Sequence, residues 1–146
     1  MRTWLIPALA ALGAYSAAEA TWLFSMRPFY SRQFARFARD GRLALRSPAA
    51  AALTYVILVL AVALLVAEPA YSEAAIARRG DRFATVRRAT MRGAMLGVAI
   101  YGVYNLTNKA TLPGYTWTMV LADTVWGAAS IGTVSCVFAW LLVRRM

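Results

Sequence analysis

Four apolar runs separated by arginine-rich segments constrain this chain more than any other feature. Each is close to the ~20 residues that one helical crossing of a bilayer needs, and each is almost free of charge. The first is expected over about residues 3–26, with Glu19 its only acid and Pro7 near the start, where a missing N–H costs least. The second, about 49–67, is nearly all Ala, Leu and Val between Pro48 and Glu68-Pro69. The third, about 93–112, stops at Pro113-Gly114. The fourth, about 117–143, has Asp123 as its sole charge and ends in Arg144-Arg145. The expected fold class is therefore all-α: a polytopic membrane protein of four transmembrane helices in a single domain, residues 1–146.

Composition agrees. At 61% hydrophobic and a mean hydropathy of +0.55, the chain is more apolar than soluble domains, where roughly half is usual. Its net charge of +10 is also met in nucleic-acid binders, but of the sixteen basic residues twelve lie between the apolar runs and three at their outer ends, as in segments beside a membrane. No length remains for a soluble nucleic-acid module, so no nucleic acid is expected as partner. The one cysteine, Cys136, sits inside an apolar run, which rules out an intrachain disulfide and leaves the redox compartment open. The chain has no histidine. That excludes His-ligated metals and haem and any His-based triad or general base. No metal or cofactor is expected. The Ala18-Glu19-Ala20 tripeptide faintly resembles a signal-peptidase site, but the apolar run continues through Trp22, Leu23 and Phe24, so an uncleaved first span is expected.

Between the first two runs, Tyr30, Phe34 and Phe37 fall at helical spacing opposite Arg32, Arg36 and Arg39. This predicts a short amphipathic helix in the headgroup region, with Arg27, Arg32, Arg36 and Arg39 on anionic lipid phosphates. An anionic-substrate or partner site is the alternative. The second long loop carries Arg78, Arg79, Arg82, Arg87, Arg88 and Arg92 and reads as a solvated or lipid-touching basic segment. With four crossings, both termini share a side with that loop, giving nine basic residues against seven on the other side. The bias leans toward termini on the cytoplasmic or matrix side of a bacterial or mitochondrial inner membrane.

Three of the spans bring a polar residue to one depth. At ~1.5 Å per residue, Glu19 and Asn105 each lie about 10 Å, and Asp123 about 9 Å, below the side that holds the first loop. Tyr101, Tyr104, Asn105 and Asn108 recur at helical spacing on a face shared with Gly97. Each acid has a tryptophan three residues on, Trp22 after Glu19 and Trp126 after Asp123. Because the two spans run antiparallel, the indoles are expected on opposite sides of the layer. The expected polar interior is Glu19, Trp22, Tyr104, Asn105, Thr107, Asn108, Asp123 and Trp126.

An acid near a helix centre costs about 2.5–3.5 kcal/mol on insertion scales, so two acids require compensation. The candidates are a proton on one or both carboxyls, bonds from the amides, hydroxyls and indoles, or a salt bridge with Lys109. The layer either joins helices by hydrogen bonds or binds a proton, a cation or a small polar molecule. Two carboxyls also suit an acid and base pair in principle, but the GxGD sequence of intramembrane aspartyl proteases is absent and no enzymatic activity is expected. Gly93 and Gly97, with Gly127, Ala128 and Ser130 in the fourth span, point to close helix packing within the bundle.

These residues resemble a bacterial membrane protein family known as domain of unknown function 2177. Its pattern has an acid followed by Trp-Leu in the first span, then Phe-Tyr, a Y-acid-LTN-x-ATL stretch and a final D-x-x-WG. Here they correspond to Glu19 with Trp22-Leu23, Phe29-Tyr30, Tyr104 to Leu112, and Asp123 with Trp126-Gly127. Glu19 stands where aspartate is usual, and Asn105 stands where an acid is usual. If members share a proton or cation site, this chain brings one carboxylate fewer to it. The resemblance implies the fold and the layer and supplies no reaction. Two functions are therefore expected in competition: a buried layer that binds or conducts a small ligand, proton or cation, and a non-catalytic accessory subunit of a larger, conceivably energy-transducing, membrane complex.

Overall fold

The computed structural model describes residues 5–35, 47–69, 72 and 81–144, and among them every regular element is helical. Helix α1 is Leu5–Ser25 and α2 is Arg27–Phe34. Helix α3 is Pro48–Val62 and runs on into a π-helical turn, Ala63–Ala67. Helices α4, Arg82–Thr111, and α5, Trp117–Val143, complete the chain. Residues 36–46 and 73–80 fall outside the described residues, and with them Arg36, Phe37, Arg39, Arg78 and Arg79.

Local chemistry sets the boundaries. Pro28, in the first turn of α2, has no N–H to continue α1, and the chain bends at Met26, whose N–H still reaches the Trp22 carbonyl at 2.8 Å. Ser47 caps α3 by accepting from Ala50 N–H, with Pro48 in the first turn. Asp81 caps α4 in the same way through Phe83 N–H at 2.9 Å. Helix α4 therefore begins about ten residues before the expected third span, and Arg82, Arg87, Arg88 and Arg92 lie on a helix instead of in a loop. Leu112-Pro113-Gly114-Tyr115 forms the turn into α5, closed by Tyr115 N–H on the Leu112 carbonyl. Gly114 supplies the positive φ of 85° that a type II turn needs after proline.

Helices α4 and α5 pack as a hairpin along their length, α1 lies against α5, and α3 touches the group more lightly. The hairpin is tight because small residues face each other. A Cβ on Gly97 would fall on the Gly127 backbone, and one on Gly93 would stand 2.8 Å from the Ile131 carbonyl oxygen. Ala8, Ala11, Tyr15, Leu58, Val62, Ile131, Val134, Phe138 and Leu142 form the largest core cluster, between α1, α3 and α5.

Among the described residues, two helices are long and apolar enough to cross a membrane, Pro48–Val66 at mean hydropathy 2.7 and Trp117–Val143 at 1.7. Four such helices were expected. Helices α1 and α4 fall short because they carry the polar groups, Tyr15, Ser16, Glu19 and Thr21 on one and Arg82 to Arg92 and Tyr101 to Asn108 on the other. Yet Glu19 and Asn105 are buried, while Ile6, Leu9, Phe24, Met95, Val98 and Val103 stand exposed on those same two helices. Polar groups inside and apolar groups outside reverse the arrangement of a soluble bundle.

Candidate functional site

The polar groups gather where α1, α2, α4 and α5 meet near the α4–α5 turn. Glu19 is buried and accepts the Trp126 indole N–H from α5 at 2.7 Å and the Tyr101 hydroxyl from α4 at 3.2 Å. Since Tyr101 donates to Glu19, its oxygen takes the Tyr15 hydroxyl, 2.9 Å away. Asp123 accepts the Tyr30 hydroxyl from α2, and Tyr30 in turn accepts the Trp22 indole N–H at 2.9 Å. Asn105 is fully buried beside Asp123, donates to the Tyr101 carbonyl at 2.8 Å and accepts the Tyr115 hydroxyl.

The two acid-x-x-Trp sequences are thus crossed. Trp126, three residues past Asp123, serves Glu19; Trp22, three residues past Glu19, serves Asp123 through Tyr30. The indoles were expected on opposite sides of the layer, but they stack on each other with centroids 4.4 Å apart and planes 4° from parallel. Helical side chains lean toward their own N-terminus, so on antiparallel helices Trp22 leans down to the layer, Trp126 leans up to it, and they meet.

Other expectations need correcting. Tyr104 is 59% exposed and Thr107 is exposed, so both point out of the bundle. The inward stripe on α4 runs Gly93, Gly97, Tyr101, Asn105, one residue every fourth, and Tyr101 takes the place expected of Tyr104. Asn108 is half-buried beside the Tyr115 hydroxyl. Lys109 makes no salt bridge to the layer; its ammonium donates to the Tyr115 carbonyl at 2.7 Å and lies 5.8 Å from the Trp117 ring. Arg27 and Arg32 are exposed on α2, whereas Tyr30, expected at the same interface, is buried in the layer. Arg36 and Arg39 lie outside the described residues. Sequence reasoning missed Tyr15, Tyr30 and Tyr115 as members of the layer; the four-residue step from Tyr15 to Glu19 was the one available signal.

Chemically, the donors that the described residues bring to the two carboxyls are neutral, phenols and an indole, with the Asn105 amide beside Asp123. The circuit is also interrupted, because an indole N–H donates and cannot accept. Trp126 and Trp22 therefore touch through their ring faces, and no hydroxyl chain runs through them from Glu19 to Asp123.

Tyr115, in the turn, gives a pH prediction. Burial pushes its phenol from 10 up to about 12, against the pull of the Asn108 amide beside it. A raised value in the folded state means that the folded chain holds this proton longer than the unfolded one. The contribution to stability is complete below about pH 10 and fades as pH climbs through about 12. Tyrosinate absorbance should therefore lose one late-titrating group in Tyr115→Phe, and unfolding between pH 10 and 12 should become less steep in pH. An unchanged titration curve would contradict the burial of this phenol.

A family model described as Predicted membrane protein (DUF2177) matches residues 4–141. No curated protein and no solved structure matches the chain.

Proposed function

The chain belongs to this family of predicted membrane proteins, and from that premise we propose a four-crossing bundle whose buried layer binds protons at Glu19 and Asp123. The apolar exteriors of α1 and α4 support their crossing alongside α3 and α5. The observation that carries the proton reading is that the donors on the two carboxyls, among the described residues, are neutral. An unpaired buried charge costs far more than a neutral carboxyl held by hydrogen bonds. The two indoles that serve the acids stack directly on each other, which favours a proton over a cation or a larger molecule as ligand. Asn105 puts a neutral amide beside Asp123 where an acid would add charge. The reading is of proton storage without catalysis, and the broken hydroxyl path argues against a through-going proton channel.

Infrared spectra of the purified protein in lipid at pH 7 test this. Two protonated-carboxyl carbonyl stretches are expected, one absent in Glu19→Gln and the other in Asp123→Asn. Spectra with only carboxylate stretches at neutral pH would end the proposal.

One observation favours the second reading, an accessory subunit of a larger membrane complex. Tyr104 exposes its phenol on the outer face of α4 one residue from Asn105, a depth where lipid offers no hydrogen bond. A partner helix would satisfy it. Purification in mild detergent should then yield a co-migrating chain that Tyr104→Phe releases; a lone chain in both preparations would count against the subunit.

A further inference from the structure

We propose that the end of the bundle away from the α4–α5 turn holds the headgroup of an anionic phospholipid, in the cleft between the start of α4 and the end of α5. This cleft, about 320 Å³, is lined by Arg82, Phe83, Val86, Trp140, Val143 and Arg144. Its lining is mixed as a lipid's surface is, two arginines together with aromatic and aliphatic side chains.

Depth follows from the two exposed tryptophans of α5. Trp117 and Trp140 are 61% and 42% exposed, and the 23 residues from 117 to 140 span about 35 Å of helix. A hydrocarbon core is about 30 Å thick and about 40–45 Å with its headgroup layers, so one indole stands at each interface, where tryptophan is enriched. Each also has a cation beside it: Lys109 near Trp117, and the Arg144 guanidinium 3.5 Å over the Trp140 ring. The cleft around Trp140 and Arg144 therefore opens at phosphate depth on the face opposite Arg27 and Arg32.

The stacked indole holds the Arg144 fork in place, and a guanidinium meets phosphate oxygens two at a time. Arg82 supplies the second fork. The first turn of α4 adds its partial positive charge, although the Asp81 carboxylate is committed to Phe83 N–H there. Phe83, 76% exposed next to Arg82, gives a free phosphate nothing to bind but gives glycerol and the first methylenes a wall. This argues for a lipid over a soluble anion, and it rests on the crossing of α5 without needing the proton reading.

The test is competition between phosphatidylglycerol and phosphatidylcholine for the full chain in mixed micelles, read as lipid adducts by native mass spectrometry. The wild type should retain phosphatidylglycerol preferentially, and Arg82→Gln/Arg144→Gln should lower that preference about tenfold, since each interfacial arginine contributes appreciably to anionic lipid binding. Arg82→Lys/Arg144→Lys, which keeps charge but loses the fork and the ring contact, should lie between them. Arg87→Gln/Arg88→Gln removes equal charge from α4 outside the cleft and should change little. Helical circular dichroism confirms that each variant is folded. Equal losses in the two glutamine pairs would replace the cleft by diffuse charge, and displacement of phosphatidylglycerol by inorganic phosphate would make it a soluble-anion site; either result overturns the proposal.

Discussion

Gly97→Val is expected to destabilise the bundle by about 1–3 kcal/mol, the usual cost of forcing extra methyl groups into a packed core, read as earlier thermal unfolding in detergent. Any Cβ at 97 falls on the Gly127 carbonyl group and 2.9 Å from Ala128 Cα. These are backbone atoms, so relief requires α4 and α5 to separate. Separation also reaches the layer, because Gly127 lies against the Tyr101 ring, and Tyr101 donates to Glu19. The control is Gly13→Ala. A Cβ there meets nothing within 4 Å, so the better helix former should leave stability unchanged or raise it by up to about 1 kcal/mol. If Gly97→Val unfolds with the wild type, the close α4–α5 contact is wrong.

How far this could be read from the sequence differs residue by residue. The α4–α5 turn was legible because proline and glycine in that order specify one backbone shape, and Thr116 then caps α5 by accepting from Met119 N–H. The start of α4 does not show in apolar sequence. Arginine, alanine and methionine form helices well, and Asp81 marks the cap, but the charges from Arg82 to Arg92 hide this stretch of helix from any apolar-span criterion. The gathering of Glu19, Asn105 and Asp123 follows from counting residues to the ends of the spans. Which tyrosine joins them does not. Tyr101 and Tyr104 differ by less than one turn, and only the small residues at 93 and 97 decide which lies under α5. The crossed tryptophans depend on the lean of side chains along antiparallel helices, a direction that spacing alone leaves out.

Tyr30→Phe separates the two accounts of α2 most sharply. An aromatic ring lying among lipid headgroups loses little when its hydroxyl is removed, and the short helix, eight residues long, has too few turns for periodicity to say otherwise. In the structure that hydroxyl accepts from Trp22 and donates to Asp123. Its loss strands an indole donor and a carboxyl acceptor together, and a buried orphan costs about 1–3 kcal/mol. Phenylalanine keeps the ring contacts with Phe29 and Phe34, so the loss measures the hydroxyl alone. A loss of about 1–3 kcal/mol is expected in detergent unfolding. A cycle with Trp22→Phe assigns part of it to one bond, with a coupling of about 0.6 and at most about 1.7 kcal/mol for a hydrogen bond inside a membrane. Thr116, which donates to Gln33 at 2.9 Å, still ties α2 to the start of α5, so the helix should stay docked while the layer loosens. Equal stability of Tyr30→Phe and wild type would return Tyr30 to the lipid interface and leave Asp123 without its phenol.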